Sequence, residues 1–293
     1  MNSLKHIIFL MCFSEFNLQG NNMQPNFTLY KGSYKVWQFH SGEVQVQVNH
    51  LSNTYCQQIT GSILCSDDLM ELLQLVEAIR YADKNCNIEL LMPYCAYSRQ
   101  DRRCNPGESF SLKIFANLIN SCNFTKVTTY DNHSDVSTAL INNCNNISVK
   151  ELIDKYDFDL HRQYNFLISP DAGANKKIFD CSQYFDIPMI RADKQRDTTT
   201  GAITHTEVFA SAKQLDGATV LIVDDICAGG RTFAELAKAI KLIQPNCTIH
   251  LFVTHGFFSN GFNAMKEAGI SKFITTDSVP QAHTCNQLTI TQF

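Results

Sequence analysis

Val44, Val46 and Val48 alternate with polar residues, the period-two pattern of a strand with one buried face. Shorter apolar runs precede them, so the chain is expected to open with β-strands over Phe27–Lys31, Tyr34–Phe39 and Glu43–Val48. Ser66-Asp67-Asp68 then offers a helix cap with acids in the first turn, and Leu69, Leu72, Leu73, Val76 and Ile79 follow as one apolar stripe. A strand at Ile88–Met92 ends at Pro93, and a polar loop leads to a helix at Ser111–Ser121 and a strand at Lys126–Tyr130. Past Asn145 the alternation restarts, with strands near Phe166–Ser169, Pro188–Arg191, Thr219–Val223 and Ile249–Thr254 and helices between them. Repeated strand–helix alternation implies a mainly parallel sheet. Two such sets predict an α/β protein of two similar halves, 23–145 and 146–293, joined near residues 143–149. Only residues 192–205 form a long stretch without structure-forming periodicity.

Composition narrows the picture. The length of 293 residues suits one large or two medium domains, and an apolar fraction of 44% supplies a sizeable core. A net charge of −4 gives no footprint of a nucleic-acid binder. No run approaches the ~18 apolar residues of a membrane span. The 12 cysteines are scattered singly with no C-x-x-C, which reads as reduced thiols of a cytoplasmic protein rather than a disulfide framework. Residues 1–22 carry a short apolar run, Ile7–Phe13, without a small-x-small cleavage site, and read as a poorly ordered extension rather than a secretory signal.

The chemistry concentrates in Val220-Leu221-Ile222-Val223-Asp224-Asp225-Ile226-Cys227-Ala228-Gly229-Gly230-Arg231-Thr232. A short buried strand ends in two carboxylates, and a glycine pair turns the chain into a helix beginning near Thr232. In open α/β sheets that end of the strand is where ligands bind. A glycine turn entering a helix leaves backbone N–H groups for a phosphate. Two acids would repel that phosphate and must grip neighbouring hydroxyls, so a sugar phosphate fits best. With no lysine after the glycines, this is not the G-x-x-x-x-G-K-[ST] nucleotide loop.

Polar residues also follow the other strands: Tyr94 through Arg103, Asp131-Asn132-His133, Ser169 through Gly173, Asp193 through Arg196, and His255-Gly256. Three arginines in one loop, Arg99, Arg102 and Arg103, are by default a solvated basic surface. Here Gln100 and two tyrosines accompany them, a set suited to base and phosphate recognition. A lone His133 or Asp171 is by default a hydrogen-bonded core or cap residue, and the shared strand-end location is what favours function.

In order and spacing, these blocks, together with Phe39-His40-Ser41-Gly42-Glu43 and Thr254 through Ser259, resemble the ribose-phosphate pyrophosphokinases (phosphoribosyl-diphosphate synthetases) from about Tyr34 to Gln281. The Asn105–Ser109 loop is similar to a shorter, phage-like branch. The resemblance implies two phosphoribosyltransferase-type domains, each a mainly parallel sheet flanked by helices. It implies transfer of the diphosphoryl group of ATP to O1 of ribose 5-phosphate, Mg²⁺ as cofactor, and a cytoplasmic homo-oligomer built from dimers, with no nucleic-acid or membrane partner. Position by position, Phe39, Ser41 and Glu43 would meet the adenine side of ATP, across a subunit interface. Arg99, Gln100 and Arg102 would bind ATP and its phosphates, and His133 and Asp171 would hold Mg²⁺. Lys194 and Arg196 would act catalytically from a mobile loop. Asp224, Asp225, Ala228, Gly229, Gly230, Arg231 and Thr232 would hold ribose 5-phosphate. The chain departs from the family pattern at Ala228, where most members carry Asp, at Arg231, where many carry Gly, and at Cys104-Asn105. Two alternatives stay open: a non-catalytic synthetase-like regulatory protein, and a base-salvage phosphoribosyltransferase, which would have no use for the Arg99-Gln100 block or a second half.

Overall fold

A computed structural model describes residues 21–52, 55–155, 163–196 and 203–292. The chain divides into two compact units, one reaching Leu91 and including Ile119–Thr125, the other made of Met92–Leu118 and the residues from Lys126 onward.

The first unit runs β1 (Asn21–Asn22), β2 (Phe27–Leu29), β3 (Ser33–Gln38), β4 (Val44–His50), β5 (Cys56–Gly61), α1 (Ser66–Ala82) and β6 (Asn87–Leu91). β1, β3 and β4 form an antiparallel sheet in which Val36 lies opposite Val46. β2 pairs antiparallel with β5, and β5 pairs parallel with β6. Val44 and Val46 are buried and the residues between them exposed, as their alternation requires. β5 is missing from the sequence reading because only Ile59 among its residues is a strong apolar signal. Its other inward residue is Gln57, whose buried amide donates to Ser52 O at 2.9 Å.

The apolar stripe of α1 holds, with Leu72, Val76 and Ile79 buried. Its cap differs from expectation: the Asp68 carboxylate, rather than the Ser66 hydroxyl, accepts the Leu64 and Cys65 N–H groups at 2.7 and 2.9 Å. A carboxylate at this position satisfies orphan donors and complements the helix dipole together. Beside the stripe lies a buried acid. Glu71 Oε1 accepts the Tyr34 hydroxyl at 2.6 Å and the Asn26 N–H at 2.9 Å, and burial pushes its carboxyl above the usual range. The Tyr34 hydroxyl in turn accepts the Phe27 N–H at 3.1 Å.

Helix α2 (Ser111–Ser121) runs from one unit into the other. The second unit continues with β7 (Lys126–Tyr130), α3 (Asp135–Leu140), β8 (Cys144–Ile147), α4 (Val149–Lys155), β9 (Phe166–Ser169), α5 (Asn175–Phe185), β10 (Met189–Arg196), β11 (Ile203–Val208), α6 (Ala212–Leu215), β12 (Thr219–Cys227), α7 (Arg231–Ile243), β13 (Thr248–Gly256), α8 (Asn263–Glu267), β14 (Ile270–Thr276) and β15 (Leu288–Thr291). β7 and β8 pair in parallel. The large sheet has seven strands in the order β11-β10-β9-β12-β13-β14-β15, all pairs parallel except β10–β11. β12 is apolar on both sides because helices cover both faces. Val220 and Ile222 pack with Leu236, Ala237 and Ile240 of α7, while Leu221 and Val223 pack with Ile178, Cys181 and Phe185 of α5. Strand order reverses between β9 and β12, which opens a crevice at their carboxyl ends.

The expectation of a structureless 192–205 is corrected at both ends. β10 extends to Arg196 and pairs antiparallel with β11, with Asp193 opposite Glu207 and Lys194 opposite Thr206. Charged residues mask the strand signal in β10, whereas Ile203, Thr204, Thr206 and Val208 supply β-branched residues in β11. Residues 197–202 of that stretch, and 1–20 of the expected extension, lie outside the described residues, while Asn21 and Asn22 pair with β3. Among the described residues no cysteine is in a disulfide, and no helix is long and apolar enough to cross a membrane.

Tyr34→Phe removes the partner shared by Glu71 and the Phe27 N–H. It is expected to lower unfolding free energy by about 1–3 kcal/mol, the cost of leaving buried polar groups unpaired. Urea denaturation reads this directly, and an unchanged midpoint would show that the hydroxyl contributes nothing net.

Candidate functional site

The carboxyl ends of β7, β9 and β12 carry the chemistry. β12 reaches Cys227, further than its apolar run suggests, so Asp224 and Asp225 are strand residues rather than residues beyond it. Parallel pairing continues to them, with Asp224 opposite Val253 and Ile226 opposite His255. Ala228, Gly229 and Gly230 then turn the chain, and α7 starts at Arg231, one residue before the expected Thr232. Gly230 has φ +79°, and a Cβ there would lie 2.8 Å from Met265 Sδ. A Cβ on Gly229 would lie 2.7 Å from Asn260 Nδ2. No side chain caps α7, so its first N–H groups are left for a ligand at the cavity lined by Gly229 through Phe233.

Charges around this turn are matched in pairs. His133 Nδ1 lies 2.7 Å from Asp225 Oδ2, and Asp225 N–H donates to Asp224 Oδ1 at 2.9 Å. Burial pushes the Asp224 carboxyl well up, and the neighbouring Asp225 adds to this. Burial would raise Asp225 as well, but the His133 hydrogen bond and the Lys177 ammonium outweigh it and hold Asp225 well below the usual carboxylate range. Two adjacent acids thus differ, one favouring its proton and the other ionised, an arrangement that can both accept from and donate to hydroxyls. Asp171, just past β9, accepts the Ala174 N–H at 3.1 Å through Oδ1 and forms an ion pair with Lys194 through Oδ2. Arg102 forks onto Asp101 at 2.7 and 2.9 Å and keeps that carboxyl down at about 2.

Arg99, Arg102, His133, Asp171, Lys194, Asp224, Asp225, Ala228, Gly229, Gly230, Arg231 and Thr232 all line one cavity of about 640 Å³. Gln100 does not: it is exposed at the head of α2, where its carbonyl accepts the Leu112 N–H at 3.3 Å. Phe39, Ser41 and Glu43 belong to the other unit, at the β3–β4 turn, where Phe39 N–H bonds to Glu43 O at 2.9 Å. Arg196 is the last residue of β10. His255 faces the core, its Nε2 lying 3.0 Å from Tyr130 O, and burial pushes its pKa down. The cavity also brings in Asp131, Asn146 and Lys177, which the sequence reading did not place in the site. Asp131 stands in the quoted Asp131-Asn132-His133 block with φ +41°. Lys177, a charged residue inside a helix, carries no sequence signal. Among the described residues, no three His, Cys, Asp or Glu side chains form a ready-made metal cage.

A twisted, doubly covered parallel sheet with a glycine turn and paired acids at its reversal point defines a phosphoribosyltransferase-type domain. Residues 141–269 match the phosphoribosyl transferase domain model, and residues 14–122 match the model of the N-terminal domain of ribose phosphate pyrophosphokinase. A ribose-phosphate pyrophosphokinase of Sulfolobus acidocaldarius is 30% identical over 219 residues, covering 73% of this chain and 72% of that protein. One from Helicobacter pylori is 26% identical over 259 residues, covering 87% and 79%. The crystal structure of a phosphoribosylpyrophosphate synthetase from Mycobacterium smegmatis has a similar fold, with a TM-score of 0.76 at 19% identity, covering 89% of this chain and 86% of that one. The chain belongs to the ribose-phosphate pyrophosphokinase family and consists of two phosphoribosyltransferase-type domains.

Gly230→Ala is expected to cost about 1–2 kcal/mol from the left-handed backbone alone, with further loss from the clash at Met265. Thermal unfolding together with phosphate titration tests this. An unshifted melting temperature with intact phosphate binding would show that the turn does not need glycine.

Proposed function

We propose that the protein transfers the diphosphoryl group of ATP to O1 of ribose 5-phosphate, giving phosphoribosyl diphosphate and AMP for nucleotide biosynthesis. The observation that carries this reading is one cavity holding an uncapped glycine-turn helix, two strand-end acids and cations left over for phosphate. The glycine turn and α7 N-terminus would seat the 5-phosphate, with Ala228, Gly229, Gly230, Arg231 and Thr232 around it. Asp224 and Asp225 would hold the ring hydroxyls. Among the described residues neither Arg99 nor Arg231 has an ion-pair partner, which suits them to incoming phosphates. Arg102, though forked onto Asp101, has a side chain 71% exposed and would meet ATP at the rim. Phe39, Ser41 and Glu43, at an exposed turn, would meet adenine from a neighbouring copy, and Gln100 would complete the nucleotide contacts.

The reaction needs positioning and charge neutralisation more than covalent chemistry from the protein. The bond from O1 to the β-phosphorus forms as the bond from that phosphorus to the α–β bridging oxygen breaks; the electron pair leaves with AMP and the O1 proton passes to solvent. Lys194 and Arg196, on the β10–β11 ribbon, would neutralise the developing charge and help exclude water. Mg²⁺ takes oxygen ligands and normally keeps waters and substrate phosphates in its shell. A metal delivered with ATP would be held by His133 and by the Asp171 Oδ2 that Lys194 now occupies, which would free Lys194 for the transferring phosphate. There it would neutralise phosphate charge. The enzyme would work in the cytoplasm as a homo-oligomer built from dimers, with halves 23–145 and 146–293 and residues 1–22 as an extension. Ala228 is the one observation favouring a non-catalytic relative. The Ala228 carbonyl still accepts the Ser259 N–H at 2.9 Å, so the turn keeps its anchor without the missing carboxylate.

Incubation with ATP, ribose 5-phosphate and Mg²⁺ should release AMP and phosphoribosyl diphosphate, and a protein that binds both substrates without turnover would be the non-catalytic relative. Lys194→Ala should lower turnover by ~10²–10³-fold with folding intact; near wild-type steady-state turnover would remove Lys194 from the mechanism. Asp224→Asn should weaken ribose 5-phosphate binding roughly tenfold or more while sparing ATP. Calorimetry with each ligand separately decides this, since equal losses would assign the acid to the metal or the fold.

A further inference from the structure

Lys177 stands near the start of α5, and its Nζ lies 2.7 Å from Asp131 Oδ1 at the end of β7. The other Asp131 oxygen accepts the Thr254 hydroxyl of β13 at 2.7 Å. With both oxygens engaged and its side chain 3% exposed, Asp131 is a bracket rather than a free acceptor for a ligand. Lys177 is 24% exposed and lines the cavity, where Asp224 and Asp225 also act on its ammonium. One ammonium thus shares a cavity with carboxylates from two strand ends. Of the other two cavity lysines, Lys194 is held by Asp171 and the exposed Lys176 lies 3.9 Å from Asp135, and His133 is held by Asp225. This divides the cations of the site. Arg99 and Arg231 are left for phosphates, whereas Lys177 is committed to the acids that face the sugar.

We propose that Lys177 is a positioning residue for the sugar: its ammonium, pinned on Asp131, is the fixed counter-charge of the cavity against which Asp224 and Asp225 present their oxygens to the ring hydroxyls. This rests on the ribose 5-phosphate reading of the Asp224–Thr232 turn. Without Lys177 an incoming sugar phosphate would meet the unpaired Asp131 carboxylate beside Asp225, and like charges at short range in a partly buried site are poorly screened. The loss falls on one substrate only, because ATP phosphates would draw on Arg99 and, at the rim, Arg102.

The test uses the full-length protein with ribose 5-phosphate calorimetry, steady-state kinetics and thermal unfolding on wild type, K177M, K177R and K177M/D131N. K177M should raise both Kd and KM for ribose 5-phosphate by ~30-fold or more, the range found when one partner of a buried charge pair is removed. The KM for ATP should stay near wild type, and K177R should restore most of the affinity. K177M/D131N removes both partners of the bracket, so it should recover melting temperature without recovering ribose 5-phosphate affinity. It also carries the test if K177M alone fails to fold. Wild-type affinity in K177M overturns the proposal. So does wild-type affinity in K177M/D131N, which would reduce Lys177 to a counter-ion for Asp131. A wild type that binds ribose 5-phosphate but releases no AMP sinks the diphosphokinase reading and leaves the binding comparison to judge Lys177. One that binds no ribose 5-phosphate sinks both.

Discussion

Crowding of negative charge at the carboxyl end of a parallel sheet is the constraint on which this site depends. Parallel strands bring all their carboxyl ends to one side, and the reversal between β9 and β12 opens a crevice there. Asp131, Asp171, Asp224 and Asp225 all converge on that crevice. Left alone, acids this close and this buried would protonate or spread the strand ends apart. Three of the four are instead answered by an element arriving from elsewhere: Asp131 by Lys177 from α5, Asp171 by Lys194 from β10, and Asp225 by His133 from the turn after β7. The result is graded rather than uniform, with Asp224 pushed towards its protonated form and Asp225 held ionised.

The glycine turn works by the opposite logic. No acid caps α7, so the dipole and free N–H groups of its first turn stay available to an anion. Gly230 adopts φ +79° to make the turn, and side chains at 229 or 230 would meet Asn260 or Met265. Two acids and a turn open to an anion therefore sit a few residues apart without cancelling each other. Asp225 is paired with His133 and burial favours the neutral form of Asp224, so neither acid opposes an incoming phosphate with full charge. Arg231 puts positive charge at the first helical position, and Ala228 puts no charge in the same turn. Both residues leave the turn without negative charge of its own, which favours an anion there.

Much of this was legible in the chain. The β12 run Val220–Val223 followed by two acids, two glycines and a helix is a local pattern, and its structure follows from local rules: buried strand, positive-φ turn, uncapped helix start. The period of α1 and the alternation of β4 are local in the same way, and both appear as expected. The motif order was sufficient to bring most cavity residues together, because in a parallel sheet strand ends share one side whatever the loop lengths.

What the sequence by itself determined was therefore the alternation of strands and helices, the strand-end placement of the acids, and the glycine turn, since each depends on neighbours a few residues away. Only the tertiary structure decided which charges meet. Lys177 and Asp131 are far apart in the chain, as are His133 and Asp225, and no periodicity records a pairing made by sheet order and helix docking. The structure also decided that Lys194 rides on a paired strand, since antiparallel pairing with β11 overrides the polar character of Asp193 through Arg196. Gln57 and Glu71 were hidden for the same reason. A polar side chain is legible as buried only once its partners, Ser52 for one and Tyr34 for the other, have been brought to it by the fold.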